Sequence, residues 1–296
     1  MPEKPISTPQ QTQIYILPSG KTTVQGLDLL FFGGDTLRKL DTWQHFDDLS
    51  GNHVTGVSSS RAETFAAIGN YPCGAESWSG LRTYASLSEI RFRLEDEQPS
   101  APLLWGTGTA GSPGTLLLRP MLSRIMLRSI ACDFSERPYA GERLQDVRAY
   151  LTWASRECRP FDPDDRPVSW LNAGRLDEVE TASLSCPETV LQTVSASLGS
   201  RIRPEADFYC YPNPVDGETF GSPVTRLVIE GKLKGTTYYY PIDLPHLEAD
   251  TQYRLDITLT RAGTTDPDTP AVSGSILLEG LVLDWDGREL EDIHYQ

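Results

Sequence analysis

The 296-residue sequence predicts an all-β protein made of two antiparallel β-sandwich domains, and three observations carry that prediction. The first is strict alternation: Tyr253, Leu255, Ile257 and Leu259 interleave with Gln252, Arg254, Asp256 and Thr258. Successive side chains of a strand point to opposite faces, so such a segment has one buried and one wet face, as strands of antiparallel sheets do. The second is punctuation, because the alternating runs are separated by the turn formers YPNPVDG, KGTT and AGTTDPDTP. The third is composition: 22 Pro and 24 Gly lie among short apolar runs, and helical periodicity almost never extends beyond about 12 residues. The length allows two cores, with a boundary near residue 118. The expected domains are 1–118, opening with a polar, Pro-rich tether at 1–12, and 119–296, carrying a loop-rich insertion at 156–204.

In the first domain, Gln13, Ile14, Tyr15, Ile16 and Leu17 form the expected first strand, since Ile14 and Ile16 alternate with Tyr15 and Leu17 directly before a Pro-Ser-Gly turn. Leu27–Phe32 is the second. The second domain offers seven strands: Arg124–Ser129, Asp146–Trp153, Asp207–Tyr211, Thr225–Leu233, Thr237–Leu244, Gln252–Thr260 and Ser275–Trp285. In the last of these the apolar phase slips across Glu279-Gly280, which reads as a bulge or, equally, as a turn. Its phase after the slip predicts Trp285 buried and Asp284 in solvent. Pro187 suits a first helical turn, so 187–198 is a candidate helix.

The charge is −15, from 41 acidic and 26 basic residues, and most of the acidic excess falls after residue 118. No Lys or Arg cluster accompanies it, which argues against nucleic acid or anionic lipid as partner. The opening MPEKPISTPQQTQ is too polar to read as a signal peptide or membrane span. Cys73, Cys132, Cys158, Cys186 and Cys210 show no CxxC spacing, so neither a zinc ribbon nor thioredoxin chemistry is expected. A Cys158–Cys186 disulfide is conceivable, and Cys132 and Cys210 read as buried thiols.

Motifs for catalysis, cofactors or metals fail one by one. Gly106, Gly108 and Gly111 satisfy GxGxxG, but the strand Thr115–Leu118 follows instead of the helix that would meet a phosphate. Gly20-Lys21-Thr22-Thr23 resembles the end of a phosphate loop, yet Tyr15 stands where its first Gly belongs. His45, His53, His246 and His294 have no ligand spacing, and no Ser lies in a GxSxG elbow. The carboxylates of 162–165 and 266–268 lack the Gly and closing Glu of a calcium loop. The expectation is therefore a non-enzyme without cofactor or metal.

Several ordered pieces carry a family resemblance: AAIGNYP near the start, PLLWGTGTAGSPGTLLLRPMLSRIMLRSI with LQDVRAYLTWAS in the middle, then YPNP, TRLVIEGKL, YYYPIDL, YRLDITLTRAGTTDPDTP and LVLDW. Together they resemble the type V, Bacteroidetes-type fimbrillins over most of residues 12–285, with 156–204 unmatched. The resemblance, rather than the alternation or composition, implies that the sandwiches are transthyretin-like with Greek-key connections. It makes AETFAAIGN a strand, although SSSRAE before it mimics a helix capping box. It also implies a structural subunit of a surface fimbria that binds other subunits by β-strand addition, exported to the outer membrane as a lipoprotein whose lipidated Cys lies outside this chain. In that family a cut after a basic residue, commonly Arg, releases the first strand. Residues 18–25 read PSGKTTVQ, so Lys21 is the one weak processing site, which points to an anchor-type or other minor subunit. Residues 288–296, with apolar Leu290, Ile293 and Tyr295 among carboxylates, read as a disordered tail or as a donor strand with Ile293 and Tyr295 on one face. The rival function is a surface carbohydrate-binding or adhesin lipoprotein, in which Trp43, Trp78, Trp105, Trp153, Trp170, Trp285 and Tyr238–Tyr240 would supply stacking platforms.

Overall fold

A computed structural model describes residues 8–20, 22–47, 49–72, 78–135, 138–162, 165–173, 191–198, 201–204, 206–217, 219, 221–244 and 246–295. The chain divides into two compact units. The first takes in Met1–Phe92, Asp96–Met121 and Arg159–Asp165; the second Arg93–Glu95, Leu122–Cys158 and Arg166–Gln296.

The first unit contains β1 (Pro9–Pro18), β2 (Leu27–Gly33), β3 (Leu40–Phe46), β4 (His53–Ser59), β5 (Ala62–Gly69), the short helix α1 (Tyr84–Ser88), the first residue of β6 (Phe92–Arg93), β7 (Leu104–Thr109) and β8 (Gly114–Pro120). Its sheet has the order β3-β2-β5-β7-β8-β1-β4. β2 is buried on both faces from Leu27 to Phe32 and forms the centre of a core with Ile14, Ile16, Phe65, Leu116 and Leu118. The glycines of the GxGxxG run serve packing. Gly108 leaves room for the Phe65 ring, whose Cζ would lie 2.3 Å from an added Cβ, while Gly111 turns the chain at φ +78°. Phe161 joins this unit edge-on to Tyr84 and Trp105. The polar tether ends sooner than the sequence suggests: β1 begins at Pro9, and Thr12 is fully buried, because its hydroxyl finds a backbone partner.

The second unit contains β9 (Ser123–Cys132), β10 (Leu144–Thr152), the two-residue β11 (Ala154–Ser155), β12 (Glu157–Cys158) and β13 (Trp170–Leu171), then β14 (Leu191–Leu198), β15 (Ala206–Cys210), β16 (Thr225–Leu233), β17 (Thr236–Leu244), β18 (Thr251–Leu259), β19 (Ile276–Asp284) and β20 (Glu289–Tyr295). Two sheets form its sandwich, ordered β14-β10-β16-β17 and β15-β9-β18-β19-β20. Two parallel pairs stand among the antiparallel ladders of the described residues, β1 with β8 and β9 with β18.

Four expectations need correction. The candidate helix at 187–198 is strand over Leu191–Leu198, where a ladder with β10 overrides local preference; 187–190 lie outside the described residues. Within the loop-rich insertion at 156–204 this strand joins the two-residue β12 and β13. No bulge or turn interrupts Glu279-Gly280, since β19 keeps one register with β18 from Leu259↔Ile276 to Thr251↔Asp284; the register shift lies instead between Val282 and Leu283, on the β20 side. With the phase unbroken, Trp285 is half-buried and so is Asp284. Finally, the segment after the turn at Asp286-Gly287 is the ordered edge strand β20.

Candidate functional site

β1 occupies an interior place in its sheet, with β8 parallel on one side (Ile14↔Gly114 to Pro18↔Leu118) and β4 antiparallel on the other (Pro9↔Ser59 to Tyr15↔His53). The sequence explains why it stays there. Thr12, Ile14 and Ile16 face inward at 0%, 1% and 1% exposure, whereas Tyr15 and Leu17 are each 49% exposed on the outer face. Burying two isoleucines contributes about 3–5 kcal/mol before chain entropy is subtracted. The polar half of the inward face is satisfied: the Gly111 N–H donates to Thr12 Oγ1 at 2.8 Å, and Gln10 Nε2 donates to the Ala62 carbonyl at 2.8 Å and to Ser58 Oγ at 3.2 Å.

Beyond β1, the Ser19 N–H donates to the Leu118 carbonyl at 2.8 Å, and Thr22 Oγ1 donates back to the Ser19 carbonyl at 2.8 Å. Lys21, the weak processing site, lies outside the described residues. Asn70 ties down the rest of this connection: its Nδ2 donates to the carbonyls of Thr23 (2.8 Å) and Pro102 (2.9 Å), and its Oδ1 accepts the Gln25 N–H at 2.7 Å. Asn70 adopts φ +61°, a conformation Asn tolerates better than most residues. The only hint of it in the sequence was its place at the end of AAIGN.

Among the described residues β4 pairs with one strand, β1. Its other edge meets β3 through side chains: Gln44 Oε1 accepts the Val57 N–H at 2.7 Å, and Asp41 accepts the Ser59 N–H at 2.7 Å and the Ser59 hydroxyl at 2.6 Å. Nothing in the alternation pattern announced this seam. Nearby, His45 bridges the buried Asp28 (2.8 Å) and the exposed Asp47 (2.7 Å). Burial lowers its pKa, but the hydrogen bonds and charges of the two carboxylates outweigh that and hold it above the ordinary value.

The candidate donor segment β20 pairs antiparallel with β19 and, among the described residues, lies at the edge of its sheet. Leu290 is 58% exposed, Glu289, Glu291 and Asp292 are exposed, and Ile293 is half-buried over Gly280, where an added Cβ would stand 3.4 Å from Ile293 Cβ. Only the backbone of Tyr295 is described, opposite Leu278. Beneath β20 a groove of about 570 Å³ is floored by Tyr253, Leu255, Leu278 and Val282 and rimmed by carboxylates.

The remaining candidates disperse into packing. Trp78 and Tyr240 are fully buried, Trp153 and Trp170 meet edge to face, and Trp105 packs on Phe161. Asp268 accepts Trp153 Nε1 at 2.7 Å and Arg226 Nη1 at 3.0 Å, and Asp162 and Asp165 pair with Arg159. Among the described residues no group of three or more His, Cys, Asp or Glu could hold a metal ion. Cys210 is buried and Cys132 half-buried, burial pushing both thiols up to about 12. Cys158 is buried as well, and Cys73 and Cys186 lie outside the described residues, so the conceived disulfide does too.

With two β-sheet units, each holding its opening strand between an antiparallel and a parallel neighbour, the chain has the fold of solved Bacteroidetes fimbrillins and cell adhesion proteins. A candidate cell adhesion protein from Bacteroides eggerthii DSM 20697 superposes with a TM-score of 0.70 at 17% identity, covering 94% of this chain and 96% of that one. A fimbrilin (FimA) from Porphyromonas gingivalis W83 gives 0.67 at 13%, covering 93% and 97%. The tip fimbrial protein Mfa3 from Porphyromonas gingivalis, solved with a C-terminal truncation, gives 0.57 at 11%, covering 94% and 100%. No protein-family model matches the sequence, and no curated protein matches it significantly.

Proposed function

We propose that this protein is a structural subunit of a cell-surface fimbria, joined to other subunits by β-strand addition, and that it is an anchor-type or other minor subunit that keeps β1. The observation that carries the reading is the position of β1. It is an interior strand, but it is one-sided and is linked onward through a surface segment, so its loss would expose unpaired backbone along an apolar slot that another extended chain could fill. Fold kinship with a fimbrilin and a tip fimbrial protein supports the fimbrial setting. Retention of β1 is supported by the lack of Arg in 18–25 and by the three bonds Asn70 makes to that connection. Location at the outer membrane, through a lipid attached outside this chain, belongs to the same reading.

Fimbriae purified from cells producing the protein provide the test. Mass spectrometry should find the chain in them, with peptides covering Pro9–Pro18 still present. Absence from the fimbriae would sink the fimbrial reading, and presence without those peptides would sink the retained strand.

A further inference from the structure

We infer that the slot held by β1 rejects the β20 strand of a second copy, so that this chain does not polymerise with itself and accepts only a strand of different chemistry. The inference rests on the strand-addition reading and deepens it.

The slot is read from what β1 places in it. At alternate positions it receives an amide (Gln10), a hydroxyl (Thr12) and two branched aliphatics (Ile14, Ile16). The hydroxyl accepts from the Gly111 N–H and the amide donates to the Ala62 carbonyl, so an occupant lacking these groups forfeits two part-buried hydrogen bonds. The aliphatics meet a closed wall of Phe31, Phe65, Leu116 and Val54. That wall has little room to yield: opposite Thr12, a Cβ on Gly56 would stand 2.5 Å from the Phe31 ring.

β20 carries Glu289, Glu291, Ile293 and Tyr295 in one phase, and Leu290, Asp292 and His294 in the other. Laid in the direction of β1 with Ile293 at the Ile14 position, it puts Glu291 at Thr12; with Ile293 at Ile16, it puts Glu291 at Ile14. Reversed with Ile293 at Ile14, it puts Glu291 at Ile16. Each of these buries a carboxylate, which costs far more than one aliphatic contact returns. Reversed with Ile293 at Ile16, Glu291 falls at the partly buried Pro18 position and a tyrosine must replace Ile14 beside Val54. The other phase supplies one aliphatic residue beside Asp292. The occupant that fits is an extended segment with an amide, a hydroxyl and two branched aliphatics at successive inward positions.

The experiment uses the full chain with a specific protease site placed in 19–25. After nicking, it is unfolded and refolded with excess labelled peptide, which removes any barrier from slow exchange. The peptide of residues 9–18 should bind, and its Tyr15→Ala form, altered on the outer face, should bind equally well. Its Ile14→Asp form should bind on the order of a hundredfold more weakly, because about 2.7 kcal/mol corresponds to that factor. The 288–296 peptide should not compete, and the nicked protein should remain a single copy by light scattering. Failure of the 9–18 peptide itself to bind would overturn the inference together with strand addition. Equal binding of the Ile14→Asp form, competition by the 288–296 peptide, or growth of nicked protein into chains would overturn the inference alone.

Discussion

β1 and β9 open the two units in the same way. Each spans ten residues between an antiparallel neighbour (β4 or β15) and a parallel one (β8 or β18). They differ in side-chain burial. β9 is buried along most of both faces, and the Asp133 N–H just beyond it is held by the Leu259 carbonyl at 2.8 Å. β1 alternates buried with exposed residues. The same seat thus holds a strand packed on both faces in one unit and a strand packed on one face in the other. A one-faced strand has its interactions confined to a single groove, and that makes replacement by another chain conceivable.

The sharpest way to break this comparison is to bury a carboxylate in each strand. Leu127→Asp in β9 and Ile14→Asp in β1 should each cost several kcal/mol of their own unit's stability in chemical denaturation. Only the β1 lesion should be repaired, in a chain nicked within 19–25, by adding the 9–18 peptide in trans; repair of neither or of both would erase the distinction. Next in size, Ile16→Ala should lower stability by about 2–5 kcal/mol through a cavity. Trp285→Ala, at a half-buried site, should cost only about 1–2 kcal/mol, and thermal melts of the two variants would expose a wrong ranking.

Thiol chemistry reports on the β9–β15 pairing. With burial pushing Cys132 and Cys210 up to about 12, neither should alkylate appreciably at pH 8 in the native protein, and rapid site-mapped labelling of Cys210 would mean that this pair opens readily. The smallest effect belongs to His45, whose pKa is raised in the folded chain. Its protonation therefore stabilises fully below the unfolded value of about 6.5, and the contribution fades as pH rises through the higher folded value. His45→Gln should flatten the pH dependence of the first unit's melting above that point; an unchanged profile would remove His45 from the account.

Strands whose two faces differ could be read from the sequence. Gln252–Thr260 differs from β18 by a one-residue shift, because burial alternates along most of it; Thr225–Leu233 coincides with β16 although that strand is buried on both faces over most of its length, Arg226 included. β14 was not legible: its ladder with β10 is a contact between distant segments, which local pattern does not encode. β20 hid for the opposite reason, since an exposed edge strand has no need of an apolar face. At the candidate site, Ile14 and Ile16 were visible as alternating aliphatics. Gln10 and Thr12 were not, because polar residues facing inward look like tether until their partners Ala62 and Gly111 are known.

The placement of β1 also bears on mechanics. A strand laddered on both long edges and pulled along its axis is loaded in shear, so all its backbone bonds resist together. β20, laddered on one edge, peels bond by bond when drawn sideways. Under the strand-addition proposal, tension entering through an occupant of the β1 slot would pass into both β8 and β4, and among the described residues the outer edge of β4 is held by Gln44 and Asp41 to Val57 and Ser59. On the β4 side, three side-chain hydrogen bonds stand against the backbone ladder that joins β4 to β1, so under that proposal the seam is expected to yield before the strand in the slot.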